Sequence, residues 1–236
     1  MKATTVKMAE ISFDEKLFIP MPTNTLIDKA FSMEGGLYPA TNVVVAGAPG
    51  VGKTTVLLDV IANIAKTGKK VLFISGEMNQ IDMYGYVKRY KKFGEIDILF
   101  MGDYVDENPE AVCESILNNG YDVVLMDSMS EMQDIYQAYF KGSNEGQGTR
   151  ILKMFEKYNK SHYTTFLIIS QMTKSGEFVG SNKLKHMTTA FAYLRFDEIG
   201  NRYIQFTKNR RGGSANKFVY SLETVNDVNY MFEEAI

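Results

Sequence analysis

The sequence predicts an α/β protein in which a mostly parallel, twisted sheet is flanked by helices and carries an antiparallel extension at its C-terminal end. Short, continuous apolar runs alternate with longer amphipathic stretches as far as residue 170, a pattern typical of parallel strands buried on both faces. From residue 190 onward apolar and polar residues alternate, which favours antiparallel strands. The chain has 236 residues, 45% of them hydrophobic, and is therefore long enough for one sizeable core.

The first 34 residues differ from the rest of the chain. Their periodicity is weak, and Pro20 and Pro22 interrupt them. We therefore expect an N-terminal arm or linker over residues 1–34 and a core domain over residues 35–236. A short apolar piece between residues 11 and 19 favours docking of the arm on an adjacent subunit over folding back on its own core.

The predicted elements of the core domain follow one another in regular order. Five apolar runs predict parallel strands, at residues 42–47, 70–75, 96–101, 121–127 and 164–170. Apolar residues at helical spacing predict four helices, over residues 53–66, 79–93, 109–118 and 149–159. Three alternating runs predict the antiparallel extension, at residues 191–196, 202–208 and 217–223.

Composition excludes several classes of protein. No apolar run approaches the roughly 20 residues that span a bilayer, and the N-terminus lacks the apolar segment of a secretion signal, so we expect a cytoplasmic protein without membrane contact. A single cysteine and two widely separated histidines disfavour a disulfide framework and a zinc site. The net charge is −2, yet residues 174–217 contain nine basic and three acidic residues, a local excess that favours an anionic partner.

A glycine-rich loop, GAPGVGKT at residues 47–54, follows the first predicted strand and precedes the first predicted helix. It matches the P-loop pattern G-x-x-x-x-G-K-[ST], in which backbone N–H groups cradle phosphate oxygens at the positive end of the helix dipole. The pattern predicts bound ATP, with Lys53 on the β- and γ-phosphates and the Thr54 hydroxyl on Mg²⁺. The alternative is a glycine-rich turn that binds nothing. The predicted nucleotide-binding residues of the loop are Gly47, Ala48, Pro49, Gly50, Val51, Gly52, Lys53, Thr54 and Thr55.

Three further polar residues follow predicted strands and complete a candidate catalytic site. Asp127 ends the fourth strand and is the candidate second ligand for Mg²⁺, although it also suits a helix N-cap. Glu77 follows the second strand and is the candidate base or water-orienting group, although an acid at a helix N-terminus is also favoured by the dipole. Gln171 follows the fifth strand, where it would sense the γ-phosphate.

These positions make the sequence resemble the RecA-type P-loop ATPases, and most closely the core of the RadA (Sms) recombination proteins. The resemblance covers roughly residues 35–223. It is most specific in ISQMTKSGEFVGSNKLKHM, which carries T-K-x-G and an H-M pair, and in the later KNRRG. The resemblance implies a RecA-like fold, Lys53 and Thr54 as the P-loop residues, Glu77 as the catalytic glutamate and Asp127 as the Walker B aspartate.

The resemblance also implies a site that is shared between subunits. Lys208 and Arg210 match the K-N-R signature, whose basic side chains are expected to reach the nucleotide of a neighbouring copy, and this requires a homo-oligomeric ring, expected to be a hexamer, or a filament. A basic hairpin end that faces solvent is the alternative. The chain departs from the RadA pattern at Arg211, where the family has an aromatic residue. It also departs at Gln171, which resembles the glutamine of RecA and of DnaB-type helicases.

Two glycine-containing segments, at residues 139–150 and 173–186, are candidate loops for binding single-stranded DNA, because each combines basic residues with an aromatic side chain. The candidate phosphate contacts are Lys141, Arg150, Lys174, Lys183 and Lys185. For each of them an ordinary solvated surface residue is the alternative. Arg89, together with Tyr84 and Tyr86, is a candidate for contact with the adenine.

Two functions remain open from the sequence. The first is an ATP-hydrolysing oligomeric motor for DNA recombination, repair or unwinding that acts on single-stranded DNA. The second is an ATP-dependent assembly or regulatory protein that binds protein partners rather than DNA. The basic stretch at residues 174–217 favours the first, whereas the acidic isoelectric point of about 5.8 leaves room for the second. A small-molecule kinase is disfavoured, since no lid or acceptor pocket is recognisable.

Overall fold

A computed structural model describes residues 5–172, 185, 187–222 and 228–232. Within these residues the chain forms six α-helices and nine β-strands. The helices are α1 (Asp28–Phe31), α2 (Lys53–Ala65), α3 (Gln80–Arg89), α4 (Pro109–Leu117), α5 (Met129–Phe140) and α6 (Asn144–Ser161). The strands are β1 (Asn42–Gly47), β2 (Val71–Ser75), β3 (Asp97–Phe100), β4 (Val123–Asp127), β5 (Thr165–Gln171), β6 (Ala190–Phe196), β7 (Arg202–Asn209), β8 (Phe218–Ser221) and β9 (Asn229–Phe232).

All nine strands belong to one sheet, in the order β3-β2-β4-β5-β1-β6-β7-β8-β9. The strands from β3 to β6 are parallel, and those from β6 to β9 pair antiparallel. The predicted α/β fold is therefore confirmed. One detail differs: β6 was expected to belong to the antiparallel extension, but it pairs parallel with β1, so the extension begins at β7.

Apolar side chains fill a core on each face of the sheet. Helix α2 packs on one face and helices α4, α5 and α6 cover the other. Strands β1, β4 and β5 lie between these layers, which explains why their residues form unbroken buried runs. Among the described residues, no helix is both long enough and apolar enough to cross a membrane.

The N-terminal segment divides in two near residue 20. Met21, Ile27, Ala30 and Phe31 are buried in the core on the α2 side, although they precede residue 35, where the core domain was expected to start. Residues 5–20 form two short 3₁₀ turns with no buried side chain. Packing into the core thus begins at Met21.

The segment 139–150, which was expected to be a projecting loop, is mostly helical. Its last seven residues form the first two turns of α6, and only residues 141–143 connect α5 to α6. The Ser143 hydroxyl caps α6 by accepting a hydrogen bond from the Gly146 N–H at 3.2 Å, and Gln147 is buried against the connection. Gly148 packs directly on the Gln133 side chain, so this glycine marks a point of close helix packing.

Candidate nucleotide site

The site is built where four parallel strands end at the same edge of the sheet. Gly47, the last residue of β1, lies beside Gln171, the last residue of β5. Ser75 at the end of β2 lies beside Asp127 at the end of β4, and the Gly76 N–H donates to the Asp127 carbonyl oxygen at 2.8 Å. The sheet thus gathers the P-loop and the three predicted strand-tip residues along one edge.

The P-loop spans the gap between β1 and α2. Its exposed tip comprises Ala48, Pro49 and Gly50. Gly52, the N-cap of α2, has a φ of 95°, in the left-handed region that favours glycine. The Lys53 ammonium donates to the carbonyl oxygens of Gly47 at 2.8 Å and Ala48 at 3.1 Å. Lys53 therefore lies across the loop, next to the first N–H groups of α2, where phosphate oxygens would bind.

The antiparallel extension supports the P-loop from behind. The Tyr220 hydroxyl, on β8, donates to the Val51 carbonyl oxygen at 2.7 Å. The Leu222 side chain lies so close to Gly52 that an added Cβ would be 2.5 Å from its Cδ1 atom. Tyr220 is 2% exposed, so this support is part of the core. The last strands of the chain hence help to shape a loop near its beginning.

Two oxygen ligands suitable for a hard cation meet beside the loop. The Thr54 hydroxyl donates to the Asp127 Oδ2 at 2.6 Å. Burial raises the pKa of Asp127 to about 6, while the Thr54 hydroxyl and the Lys53 ammonium oppose that rise. Burial likewise lowers the pKa of Lys53, and the nearby carboxylates of Asp127 and Glu77 oppose it. The pKa values of Asp127 and Lys53 therefore each depend on the charge of the other group.

This pair of oxygens fits magnesium held jointly with a nucleotide. In the described part of the chain, no group of three or more His, Cys, Asp or Glu side chains could hold a metal ion. Mg²⁺ usually needs only one or two protein ligands, since phosphate oxygens and water complete its octahedral shell. Thr54 and Asp127 suit that arrangement, and they do not suit a metal held by the protein alone.

A second acid, Glu131, joins Glu77 at this edge of the sheet. Glu77 is exposed and contributes to the raised pKa of both Asp127 and Glu131. Burial is the main cause of the raised pKa of Glu131. The Cβ of Glu131 would be 3.0 Å from a Cβ added at Gly76. Glu131 was not among the residues predicted from the sequence, although the spacing S-x-x-E from Ser128 is a recognisable helix-start signal.

The candidates for adenine contact lie on α3, which follows Glu77. Tyr84 is 71% exposed, and Arg89 is exposed at the end of the helix. Burial raises the pKa of Tyr86, while a hydrogen bond with the Thr55 side chain and the charge of Arg89 lower it. Tyr86 thus lies beside the start of α2, and Tyr84 and Arg89 have free surface near it.

Lys208 and Arg210 lie away from the P-loop, toward the opposite edge of the sheet. Lys208 pairs with Phe191 on β6. Phe191 comes three residues before Leu194, the β6 residue that lies beside Gly47. The Lys208 ammonium donates to the carbonyl oxygens of Lys185 and Thr188, and burial lowers its pKa. Arg210 is exposed. Neither residue is near the P-loop of its own chain.

The turn that follows Lys208 and Arg210 is held against α1. The Asn209 side-chain amide donates to the carbonyl oxygens of Ala30 at 3.0 Å and Phe31 at 2.9 Å. Gly213 lies so close that a Cβ added there would overlap the Ala30 carbonyl oxygen. Asn209, which lies between Lys208 and Arg210, therefore anchors the end of β7 on α1.

The three described candidates for DNA contact lie on different parts of the chain. Lys141 is exposed between α5 and α6, and Lys185 lies 5.3 Å from the Phe191 ring centre. Arg150 is paired with Glu110 at 2.6 Å and stacks 3.7 Å from the centre of the Phe140 ring. Lys174 and Lys183, with most of the segment 173–186, lie outside the described residues.

Comparisons with known proteins identify a matching domain family and proteins of similar sequence. The sequence profile of the AAA domain family matches residues 32–177. The chain is 29% identical over 192 residues to the DNA repair protein RadA of Campylobacter jejuni, covering 80% of this chain and 41% of that protein. It is 29% identical over 227 residues to the protein of the same name from Listeria monocytogenes, covering 95% and 47%.

A solved structure confirms the fold. The crystal structure of the KaiC-like protein PH0186 from Pyrococcus horikoshii superposes with a TM-score of 0.69 at 17% identity, covering 90% of this chain and 98% of that one. The present chain spans about half the length of the curated relatives it matches, since it covers 41% and 47% of the two RadA proteins.

Proposed function

The chain belongs to the AAA domain family and is a RadA-like ATPase core of the RecA superfamily, and from this premise we propose that it hydrolyses ATP as an oligomer that acts on single-stranded DNA in recombination or repair. The observation that carries the proposal is the contact between Thr54 and Asp127 beside the P-loop. It brings both predicted magnesium ligands together next to the predicted phosphate site.

Each residue of the site has a distinct role in the proposed reaction. Backbone N–H groups at the start of α2 bind the phosphates. The Lys53 ammonium gives up its hydrogen bonds to the loop carbonyl oxygens and donates to phosphate oxygens instead. Thr54 and Asp127 would hold Mg²⁺, which neutralises charge on the phosphates when bound. Glu77 accepts a proton from, or orients, the attacking water, and Gln171 senses the γ-phosphate from the adjacent strand.

The position of the K-N-R residues supports an ATP site shared between copies. Arg210 follows the end of β7 that lies level with the start of β1, and its backbone N–H donates to the Thr189 carbonyl. The start of β1 is five residues from Gly47, which corresponds to a distance of about 16 Å along the strand at the usual rise per residue. In this proposal Lys208 and Arg210 of one copy stabilise charge on the nucleotide held by the next.

A sharp test compares the hydrolysis of ATP by Glu77→Gln and by Glu107→Gln, a matched control in which an exposed acid away from the site is neutralised. We expect Glu77→Gln to lower kcat by about 100-fold or more while ATP still binds, since proton transfer contributes about that much. The control should hydrolyse ATP at the wild-type rate. Equal rates for the two variants would overturn the role of Glu77.

The DNA part of the proposal has its own test. Fluorescence anisotropy of a labelled single-stranded oligonucleotide, measured at low salt with and without ATP, should report binding that weakens as salt rises. If ATP is hydrolysed but the oligonucleotide does not bind in either condition, the alternative of an ATP-dependent assembly protein is favoured. The pairing of Arg150 with Glu110 is the observation that supports this alternative, because it occupies one candidate DNA contact.

A further inference from the structure

A second concave surface lies at the amino-terminal ends of β2 and β3, where α2 ends. Because the strands are parallel, this is the opposite edge of the sheet from the P-loop. We call this surface, which has a volume of about 730 Å³, the lysine cleft. Its charged lining residues are five lysines and two acids: Lys66, Lys69, Lys70, Lys91, Lys92, Glu95 and Asp97.

Packing of two distant segments creates the cleft. Residues 66–70 follow α2, and a 3₁₀ turn over Lys91–Glu95 packs against that helix. Phe93, which is 2% exposed, anchors the turn and stacks on Tyr90 with ring centres 4.9 Å apart. The fold therefore holds like charges close together, an arrangement that costs free energy in the absence of a counter-charge.

The protein neutralises only part of this charge. Lys92 is 2.6 Å from the buried Asp59, and Lys69 is 3.2 Å from Asp122. Lys70 lies 4.5 Å from the centre of the Tyr121 ring. The ammonium groups of Lys66 and Lys91 make no hydrogen bond or ion pair within the part of the chain that the structure describes.

The chemistry of the lining selects the kind of ligand. A protein partner would normally use exposed aromatic or large apolar anchors, and the apolar lining here consists of two alanines and one valine. Lysines, as flexible point charges, suit the phosphates of a nucleic-acid backbone, which require charge and no base readout. We propose that the lysine cleft binds the phosphate backbone of single-stranded nucleic acid, as a contact independent of ATP and remote from the nucleotide site.

A simpler function for one of these lysines is to compensate the dipole at the C-terminal end of α2. That function requires only Lys66, which is the C-cap of the helix. It gives no reason for Lys91 to face the same cleft. The proposal rests on the proposed action on DNA, since both take nucleic acid as the ligand.

The test reverses the two unpaired charges, in the variant Lys66→Glu/Lys91→Glu. Its matched control, Lys153→Glu/Lys160→Glu, makes the same change in net charge on exposed lysines of α6. A labelled oligothymidylate should bind the cleft variant about tenfold more weakly than the control, without added nucleotide. The slope of log affinity against log salt should fall by about 0.7 for each phosphate that the cleft variant no longer neutralises. Melting curves check that both variants fold.

Removing a negative charge provides a test in the opposite direction. Glu95→Gln should tighten binding of the same oligonucleotide, because the cleft becomes more positive. Polyglutamate, added as a competitor at matched charge, should displace the oligonucleotide poorly. Equal affinity of the cleft variant and its control, or no tightening by Glu95→Gln, would overturn the inference. Efficient displacement by polyglutamate would also overturn it, in favour of an acidic protein segment.

These outcomes separate the inference from the proposed function. If wild-type protein binds the oligonucleotide and the cleft variant binds as tightly as its control, the inference fails while the proposed action on DNA stands. If wild-type protein hydrolyses ATP but binds no oligonucleotide at low salt, both nucleic-acid proposals fail and only the ATPase assignment remains.

Discussion

Mixing two inactive variants, Lys53→Ala and Arg210→Ala, tests whether the ATP site is shared between copies. Lys53 lies on the P-loop at one edge of the sheet, whereas Arg210 lies toward the other, about 16 Å away along β1 by the strand rise. Each variant alone should be inactive, because every composite site then lacks one of its halves. A mixed oligomer should contain some sites in which both halves are intact.

The expected recovery follows from random assembly. A complete site needs intact Lys53 from one copy and intact Arg210 from its neighbour, and each condition holds with a probability of one half in an equal mixture. About a quarter of the sites are therefore complete, and the mixture should recover about a quarter of the wild-type rate. A control mixture of Lys53→Ala with Glu77→Gln should recover nothing, because both changes lie on the same half of the site.

The assay is phosphate release at a protein concentration where size measurements detect oligomers. Differently tagged variants, co-purified from the mixture, establish that the oligomers contain both kinds of subunit. A rate for the Lys53/Arg210 mixture that is no higher than that of the control mixture, in oligomers proven to be mixed, would refute the shared site. Recovery in the control mixture would instead refute the placement of Glu77 beside the P-loop of its own chain.

Two further predictions concern stability. The pKa of Asp127 is raised from 3.8 to about 6, so its ionisation destabilises the nucleotide-free fold as pH rises through this window. Asp127→Asn should therefore raise the free energy of unfolding by roughly 3 kcal/mol at pH 7.5 and hardly at pH 4, as measured in urea; an equal gain at both values would contradict this cause. Gly213→Ala should lower stability by about 3 kcal/mol, because its Cβ would overlap the Ala30 carbonyl oxygen. Gly102→Ala, with no atom within 4 Å of the added Cβ, should be neutral or slightly stabilising. Urea unfolding of both glycine variants checks this, and equal losses of stability would contradict the clash.

The parallel sheet and the P-loop could be predicted closely because local signals determine both. The first strand was predicted at residues 42–47 and observed there, since its run of buried residues is bounded by a glycine-rich loop. Helix α2 ends one residue before the predicted end. Chain direction alone predicts which edge of the sheet carries the site, because parallel strands place their carboxyl ends together.

Other features depend on long-range packing that a linear pattern does not encode. Helix α5 was missed, although Ser128 caps it, because polar and apolar residues are mixed along its length. The first turns of α6 contain Gly146 and Gly148, which suggested a loop, and only contact with α5 explains them. The hydrogen bond by which Tyr220 supports the P-loop joins it to Val51, 169 positions away, and no local sequence pattern predicts this contact.

That support also links ATP binding to completion of folding. The hydroxyl that holds the Val51 carbonyl belongs to a strand near the C-terminal end of the described chain, so the native shape of the P-loop depends on that strand being in place. A ligand that binds only the finished loop stabilises the entire native state by mass action. A rise in melting temperature on adding nucleotide would accordingly report the integrity of the whole domain, including segments far from the phosphates.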